Sequence, residues 1–404
     1  MVAIPRYRPQ AGPAILSAGF RPFFLAAALW AAIGIPLWLA AFAEGLAMPS
    51  RLDPLVWHVH EMVFGFAAAA VAGFLLTAIP NWTGRMPLQG GPLALLVALW
   101  TAGRVAVLFS GEVGPAAAAA ADLAFPAVFL AVVAREIVTG GNWRNLPMVA
   151  ALSLLLVGNL LVHLDALAIT TTAALGNRIG IATLLLLICL VGGRIIPSFT
   201  RNWLGKNRPD ITAPAAPEGR LDRVALVVTA AALALWAFAP DAMVTAWTLV
   251  LAGIALAVRL ARWRGERTCR EPLLLILHVG YGWLAVGLLL VGADSLYQFL
   301  PPAAALHALT VGAIGTMTLA VMTRATLGHT GRPLSAGPGT VAIYLLISAA
   351  AVLRLLSPLG GGDMVLLLWL AGIAWSGAFG LFAILYGDLL ARPRVRSSRS
   401  AIAR

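Results

Sequence analysis

The chain has 404 residues, of which 61% are hydrophobic and 11% are charged, and its formal net charge is +12. This composition excludes a soluble domain, and without a soluble basic face the positive charge does not indicate nucleic-acid binding. Apolar runs of about 20 residues predict an all-α integral membrane protein with twelve transmembrane helices. The runs cover approximately residues 23–43, 56–78, 92–110, 115–138, 147–168, 178–198, 223–239, 242–261, 272–291, 301–323, 339–357 and 364–390.

The basic residues are concentrated on one side of this predicted topology. Of the 28 lysines and arginines, all but four lie at or near the termini and the connections that follow even-numbered helices. The positive-inside rule therefore predicts that both termini are cytoplasmic. It also assigns a polar linker, 199–222, and a basic tail, 392–404, to the cytoplasm. The four exceptions are Arg51, Arg104, Arg178 and Arg354.

A spaced motif occurs twice, once in the second predicted helix and once in the tenth. Each copy has a histidine, a glycine five residues later, and Thr-Gly-Arg at 23 to 25 residues after the histidine. The two histidines are His60 and His307. Because identical spacing on two helices indicates equivalent positions, we expect both imidazoles to lie at one membrane depth.

Proline spacing extends this repeat to the whole chain. Helices 1, 5 and 9 begin near Pro22, Pro147 and Pro272, which are 125 residues apart, and proline favours the first helical turn. We predict three tandem four-helix units, with Asn177 of the middle unit at the position of the repeated histidine. A competing plan has two six-helix halves, as in major-facilitator transporters, but the charged loop motif usual there after helix 2 is absent. The three units cover about 20–145, 146–262 and 270–391.

The three-by-four plan resembles the catalytic subunit of haem–copper oxidases and nitric oxide reductases. In that superfamily, histidines of the second and tenth helices clamp a haem, and His60 and His307 lie on the matching helices. The resemblance therefore implies a haem between these two side chains. The motif also distinguishes His60 from His58, because residues two apart on a regular helix cannot both face one metal. The alternatives are interfacial histidines in helix 2 and core hydrogen bonding for His307.

Copper is the second cofactor in that superfamily, but its usual ligands are missing because predicted helices 6 and 7 contain no histidine. Copper would need other histidines, either His278 with His329 or His58 with His163. Tyr281, one turn after His278, could stack on a flat cofactor or hydrogen-bond to it. The alternatives are packing for His278, a helix cap for His329 and an interfacial position for His163.

Two arginines are predicted inside the membrane, Arg104 in helix 3 and Arg354 in helix 11. A buried arginine requires an anion, and haem propionates would serve because arginine binds carboxylates in a bidentate manner. The alternative partners are Glu61 and Asp122.

Several segments together resemble the NnrS family, over nearly the whole chain. That resemblance implies a bacterial inner-membrane protein that carries haem and copper and is linked to nitric oxide metabolism and resistance to nitrosative stress. It does not assign ligands to the two metals. The segments are WHVHEMVFG (57–65), GFLLTAIPNWTG (73–84), GR (103–104), GRIIP (193–197), HVGY (278–281) and LGHTGR (327–332).

Three functions are compatible with these features. The leading hypothesis is a haem protein that binds nitric oxide and reduces it if electrons arrive from quinol or from a separate donor protein. The others are a twelve-helix transporter or exporter and a non-catalytic sensor of nitric oxide or haem. The sequence contains no hydrolase or nucleotide-binding motif, so no catalytic residue can be assigned.

Overall fold

A computed structural model describes residues 12–208 and 219–395. Within those ranges the chain is helical, and twelve helices are long and apolar enough to cross a membrane, which confirms the predicted number. The remainder of the predicted linker and tail, 209–218 and 396–404, lies outside the described residues. The helices are α1 (Phe20–Glu44), α2 (Pro54–Thr83), α3 (Gly90–Leu108), α4 (Pro115–Thr139), α5 (Trp143–Ala166), α6 (Ala173–Asn207), α7 (Arg220–Phe238), α8 (Met243–Ala261), α9 (Pro272–Tyr297), α10 (Pro302–His329), α11 (Pro338–Leu359) and α12 (Gly361–Ala391).

Local sequence explains where α2 begins and ends. The Asp53 side chain accepts a hydrogen bond from the backbone N–H of Leu55 at 2.9 Å, which satisfies one of the free donors at the helix start. Pro54 occupies the first turn, where its missing N–H has no consequence. Gly84 then ends the helix with a φ of +70°, a conformation that glycine adopts without strain.

Three helices change locally from α to π geometry, and they are α2, α6 and α10. The π turns span Glu61–Ala67, Ile188–Gly192 and Ala308–Gly315, and no other helix in the two described ranges has one. The first and third begin directly after the repeated histidines. A π turn is an uncommon insertion that is frequent at functional sites. Its recurrence at the same motif position supports an equivalence of α2 and α10, whereas the three-unit plan stays a prediction.

Helix α6 extends nine residues beyond the predicted end of its apolar run, so the first part of the predicted linker is helical. Ile196, Thr200 and Leu204 are spaced four residues apart and are fully buried. This spacing puts them on one face of the helix, which packs while the opposite face carries the polar residues.

The described chain forms two compact units. Its first unit comprises the described residues 12–180, Arg324–Pro333 and 382–395. Its interior is rich in phenylalanine, and small residues allow close helix contact: a Cβ added to Gly158 of α5 would lie 2.8 Å from the backbone oxygen of Gly176 in α6.

The second unit comprises the described residues 181–208, 219–323 and Leu334–Leu381. Helices α8 and α9 pack closely within it, because a Cβ on Gly253 would lie 2.9 Å from the backbone oxygen of Ala285. Small residues at such crossings let two helices approach where lipid supplies little driving force for association.

Candidate metal centre

The first unit contains a group of six buried polar residues, none of them more than 3% exposed. Helices α2, α3, α4 and α5 supply them from positions inside the membrane-spanning segments. We call this group the histidine–carboxylate cluster. Its members are His60, Glu61, Arg104, Asp122, Asn159 and His163.

His60 lies between two carboxylates. Its Nδ1–H donates to Glu61 Oε1 at 3.0 Å, and its Nε2 lies 3.2 Å from Asp122 Oδ2 and 2.8 Å from Asn159 Oδ1. A carboxylate on one imidazole nitrogen fixes the tautomer and the ring orientation, and leaves the other nitrogen for a metal ion. Glu61 therefore orients His60 so that Nε2 faces Asp122.

Arg104 connects the two carboxylates. Its Nη1 donates to Glu61 Oε1 at 2.6 Å, and its Nη2 donates to Asp122 Oδ1. Two glycines make room for this arrangement. A Cβ on Gly65 would lie 2.8 Å from Arg104 Nη1, and a Cβ on Gly103 would lie 2.9 Å from the Asp122 Cα. The guanidinium thus uses one oxygen of Asp122, and the other oxygen faces the imidazoles.

Helix α5 contributes Asn159 and His163, which are four residues apart and share a helix face. Asn159 Nδ2 donates to Asp122 Oδ2 at 2.9 Å, and His163 Nε2 lies 2.9 Å from the same oxygen. The His60 and His163 rings are 5.2 Å apart between centroids. Asp122 Oδ2 is therefore the point on which α2 and α5 converge.

The converging atoms have the spacing that a metal ion requires. One ligand atom each from His60, Asp122 and His163 lies within 4.8 Å of the other two. Bonds of about 2.0–2.2 Å to nitrogen and oxygen place neighbouring ligand atoms about 3–4 Å apart, close to the 2.9 and 3.2 Å between Asp122 Oδ2 and the His163 and His60 Nε2 atoms, so these atoms can share a metal ion.

The charges of the cluster also favour binding of a cation. Glu61 and Asp122 contribute two negative charges and Arg104 one positive charge, which leaves one negative charge when both imidazoles are neutral. Glu61 Oε2 is buried and makes no hydrogen bond to a described residue, so acceptor capacity remains as well. A net charge inside a membrane is costly unless it is compensated. A metal ion would compensate it, and so would a proton on His60.

Two other residues of the first unit were candidates from the sequence. The His58 ring stacks on Trp38, with 4.1 Å between centroids and 22° between planes, so of the two α2 histidines it is His60 that enters the cluster. The His329 ring lies against Phe20, with centroids 5.4 Å apart. Arg104 forms ion pairs with Glu61 and Asp122, the partners that the sequence offered as the alternative to haem propionates.

Two histidine candidates belong to the second unit. His307 Nδ1 lies 2.6 Å from the backbone oxygen of Ala303, and His278 Nδ1 lies 3.0 Å from that of Leu274. In both, Nδ1–H donates to the carbonyl one turn earlier, so the lone pair is on Nε2. His278 Nε2 lies 3.4 Å from the Thr200 hydroxyl.

Tyr281 and Arg354 make different contacts in the second unit. Arg354 Nη1 donates to the Ser357 hydroxyl at 3.0 Å. Tyr281 lies in a second buried group, the Arg259 cluster, in which Arg259 donates to the Tyr281 hydroxyl at 2.9 Å and to Asp222 Oδ1 at 2.8 Å. Arg259 also donates to the backbone oxygen of Cys189, in the π turn of α6, at 3.1 Å.

Sequence reasoning missed part of the centre. The sequence indicates Asp122 only as an arginine partner and does not indicate Asn159, and it leaves His163 as either a copper ligand with His58 or an interfacial residue, whereas the structure buries His163 beside His60. Two signals were available. Asp122 is the only ionisable residue in the first twenty positions of α4, and His163 follows Asn159 by one helical turn.

Comparison with known proteins agrees with the resemblance noted in the sequence. A search of curated proteins finds no match. The family profile described as "NnrS protein" matches residues 14–394, which include every residue of the histidine–carboxylate cluster. A match over this share of the sequence shows that the chain belongs to the NnrS family.

Proposed function

We propose that this membrane protein binds nitric oxide at a transition metal held by His60, Asp122 and His163, and thereby lowers nitrosative stress. The observation that carries the proposal is the convergence of three ligand atoms from three helices within 4.8 Å. Membership of a nitric oxide-related family supports the choice of ligand. A metal of this kind supplies an electron-rich centre to which a neutral diatomic molecule can bind.

The surrounding residues hold the ligands in place. Glu61 orients His60 through Nδ1, Arg104 holds the second oxygen of Asp122, and Asn159 donates to the first. Such outer contacts fix ligand geometry before the ion arrives. Burial of the whole group keeps water away from the bound gas.

For the haem that the resemblance implies, we propose His307 as an axial ligand. Its Nδ1 contact with Ala303 puts the lone pair on Nε2, as in haem proteins whose ligand histidine donates to a carbonyl. His60 as the second axial ligand, the arrangement expected from the repeat, would compete with its place in the cluster. Loss of the haem spectrum in His60→Ala would favour that shared haem.

The membrane context of the proposal follows from the sequence. We propose the bacterial inner membrane, with both termini in the cytoplasm, because the basic residues segregate to one side. Reduction of nitric oxide would need electrons from quinol or a separate protein.

A transporter is the second candidate, and one observation favours it. Glu61, Arg104 and Asp122 are ionisable and buried within membrane-spanning helices, as in many ion pathways. A transporter would use the cluster for passage of ions or protons and would not retain a metal through purification.

Metal analysis and nitric oxide titration of the purified full-length chain test the proposal. We expect about one non-haem transition-metal ion per chain and a nitric oxide-dependent absorption change, both lost in His163→Ala. His307→Ala should lose the haem spectrum and keep this ion. His58→Gln is the matched control, because His58 lies on the same helix outside the cluster. A wild-type protein with no bound transition metal would contradict the proposal and favour the transporter.

A further inference from the structure

Gly65 has no side chain, and polar atoms surround the space beside its α-carbon. A Cβ at this position would lie 2.8 Å from Arg104 Nη1, 3.0 Å from Glu61 Oε2 and 3.1 Å from Trp30 Nε1. These are hydrogen-bond distances rather than distances of apolar packing. Gly73, about two turns later on α2, shows the ordinary case, because the three atoms nearest to its Cβ would be phenylalanine carbons. The space at Gly65 is therefore polar although it lies inside the membrane-spanning part of the chain.

Two of the three polar atoms have hydrogen-bonding capacity left over. Glu61 Oε2 and Trp30 Nε1 are buried, and neither forms a hydrogen bond to a described residue. Arg104 Nη1 donates one proton to Glu61 Oε1 at 2.6 Å and carries a second N–H. Buried polar groups in proteins are nearly always satisfied, either by the protein or by an ordered water molecule. A carboxylate oxygen and an indole N–H that face one space without bonding to each other therefore indicate a molecule between them.

Aromatic contacts fix the direction of the Trp30 N–H. The Trp30 ring is in edge contact with Trp57 and Trp100, at 6.4 and 6.2 Å between centroids. Such edge-to-face contacts favour one ring orientation. Trp100 in turn donates to the backbone oxygen of Gly65 at 3.1 Å, so a different indole satisfies that carbonyl. Trp30 of α1 thus faces the space beside the Gly65 α-carbon in advance of any ligand.

The charges around this space determine what it can hold. An anion would accept from Trp30 and Arg104 but would be repelled by Glu61 Oε2, and a cation would face two N–H donors. A water molecule accepts from both donors and donates to the carboxylate oxygen. The three atoms surround one point closely, which leaves room for about one non-hydrogen atom. We propose that a single ordered water molecule binds at Gly65.

This water gives Glu61 a partner at each oxygen. Oε1 accepts from His60 Nδ1 and from Arg104, and the water donates to Oε2. A carboxylate held at both oxygens cannot rotate freely, so Trp30 becomes a positioning residue for His60, acting through the water and Glu61. The site goes beyond the proposed function, because no metal takes part in it.

The second copy of the repeated motif lacks such a site. Gly312 occupies the motif position of Gly65, and a Cβ there would lie 2.7–2.9 Å from three ring carbons of Trp283. A ring face offers a water molecule no comparable hydrogen bond. The glycine of each copy thus makes room for a tryptophan, but only the first copy combines an indole N–H with a carboxylate oxygen.

Solid-state NMR of the full-length protein in lipid bilayers tests the proposal. Tryptophan is labelled with ¹⁵N, and Trp30→Phe assigns the Trp30 indole signal. We expect a cross-peak between the Trp30 indole N–H and a proton at the water frequency. Trp100 is the internal control, because its N–H is bonded to a carbonyl and should show no such cross-peak. Trp30 lies near the middle of α1 (Phe20–Glu44), so bulk water does not account for a contact there.

Two glycine variants show where the water lies. Gly65→Ala fills the space with a methyl group and should abolish the Trp30 water cross-peak. Gly34→Ala is the matched control, because Gly34 is one turn after Trp30 on α1 and its Cβ would meet only the terminal methyl of Met62, at 3.0 Å. Its cross-peak should be that of the wild type. Thermal unfolding and gel filtration verify that each variant is folded.

The wild-type spectrum decides the proposal even if Gly65→Ala does not fold. A Trp30 indole without a water contact in the wild type would overturn it. A cross-peak that persists in folded Gly65→Ala would also overturn it, because the water would then lie elsewhere. None of these outcomes depends on the metal content of the preparation, so the proposed function is left to its own test.

Discussion

The two buried arginines, Arg104 and Arg259, illustrate different uses of the same side chain. Each bonds to a carboxylate inside a membrane-spanning helix, and each lies against a glycine, Gly65 or Gly193. Around Arg104 there are two carboxylates and two imidazoles. Around Arg259 the partners are one carboxylate, a phenol and a backbone carbonyl.

The charge balance separates the two clusters. The charges of Arg259 and Asp222 cancel, and the partly exposed Arg262 adds a second positive charge 3.6 Å from Asp222 Oδ2, so the Arg259 cluster has no excess negative charge for a cation to balance. Arg259 also satisfies the backbone oxygen of Cys189 within a π turn, where the regular helical pairing is disturbed. The histidine–carboxylate cluster has one excess negative charge and converging ligand atoms. A buried ion pair therefore does not by itself indicate a functional site; excess charge with convergent ligands does.

The largest expected effect on metal content comes from Asp122, and Asp222 provides the comparison. Asp122→Asn removes a metal ligand and the excess negative charge, so we expect the bound metal to fall more than tenfold. Asp222→Asn changes the same atoms in the Arg259 cluster and should leave the metal content unchanged. Elemental analysis of both purified variants makes the comparison. Equal metal loss in both variants would show that the metal does not depend specifically on the histidine–carboxylate cluster.

Arg259 should affect stability rather than metal binding. Arg259→Met removes the buried partner of Asp222 and leaves it only the partly exposed Arg262, 3.6 Å away. Breaking a buried pair typically costs about 3–5 kcal/mol when no other partner remains, so we expect a smaller cost here. We expect a lower thermal unfolding temperature in detergent with the metal-to-protein ratio of the wild type. The double variant Arg259→Met with Asp222→Leu removes both charges and should recover much of the loss. An Arg259→Met protein with the unfolding temperature of the wild type would show that Arg259 does not stabilise the fold.

Glu61 is expected to have a smaller effect because it acts through His60. In Glu61→Gln the imidazole keeps a hydrogen-bond acceptor but loses the carboxylate, and changes of this kind weaken metal binding by about 10–100-fold. The variant should still reach full occupancy at high metal concentration, which distinguishes it from Asp122→Asn. Competition with a chelator measures the affinity. An unchanged affinity would mean that Glu61 does not orient the ligand.

The sequence predicts the fold better than the centre. Twelve helices follow from hydrophobic length, since a membrane-spanning segment is constrained by the bilayer alone. The three π turns were not predictable, although two of them begin at the motif that His60 and His307 share. Helix α6 was predicted to end early because its last turns are amphipathic rather than apolar.

The centre depends on pairings between helices, which a single sequence does not specify. His60 was identified from the repeated motif and Arg104 as an arginine inside an apolar helix, whereas Glu61 and Asp122 were named only as alternative partners of the arginine. Asp122 and His163 were undervalued because nothing local shows that α4 and α5 turn these side chains toward α2. The repeat predicts His307 as the partner of His60, whereas Asp122 of α4 and Asn159 of α5 contact His60 Nε2.

The smallest effects should come from the two glycines that lie against the arginines. A Cβ on Gly65 would lie 2.8 Å from Arg104 Nη1 and 3.0 Å from Glu61 Oε2, both at the ends of flexible side chains. Arg104 Nη1 would shift by a few tenths of an ångström and lengthen its bond to Glu61 Oε1, whereas Glu61 Oε2 makes no hydrogen bond to a described residue. Gly65→Ala should therefore fold normally and bind metal a few-fold more weakly.

Gly193→Ala should lower stability and leave metal binding unchanged. Its Cβ would overlap the Arg259 guanidinium, which Asp222 and Tyr281 hold in place, so relief requires breaking those hydrogen bonds. Overpacking of this kind costs about 1–3 kcal/mol. We expect the thermal unfolding temperature of Gly193→Ala to be lower than that of the wild type. Its metal affinity, measured by competition with a chelator, should stay at the wild-type value. If Gly193→Ala weakened metal binding as much as Gly65→Ala does, the metal affinity would depend on general packing rather than on the contacts around Arg104.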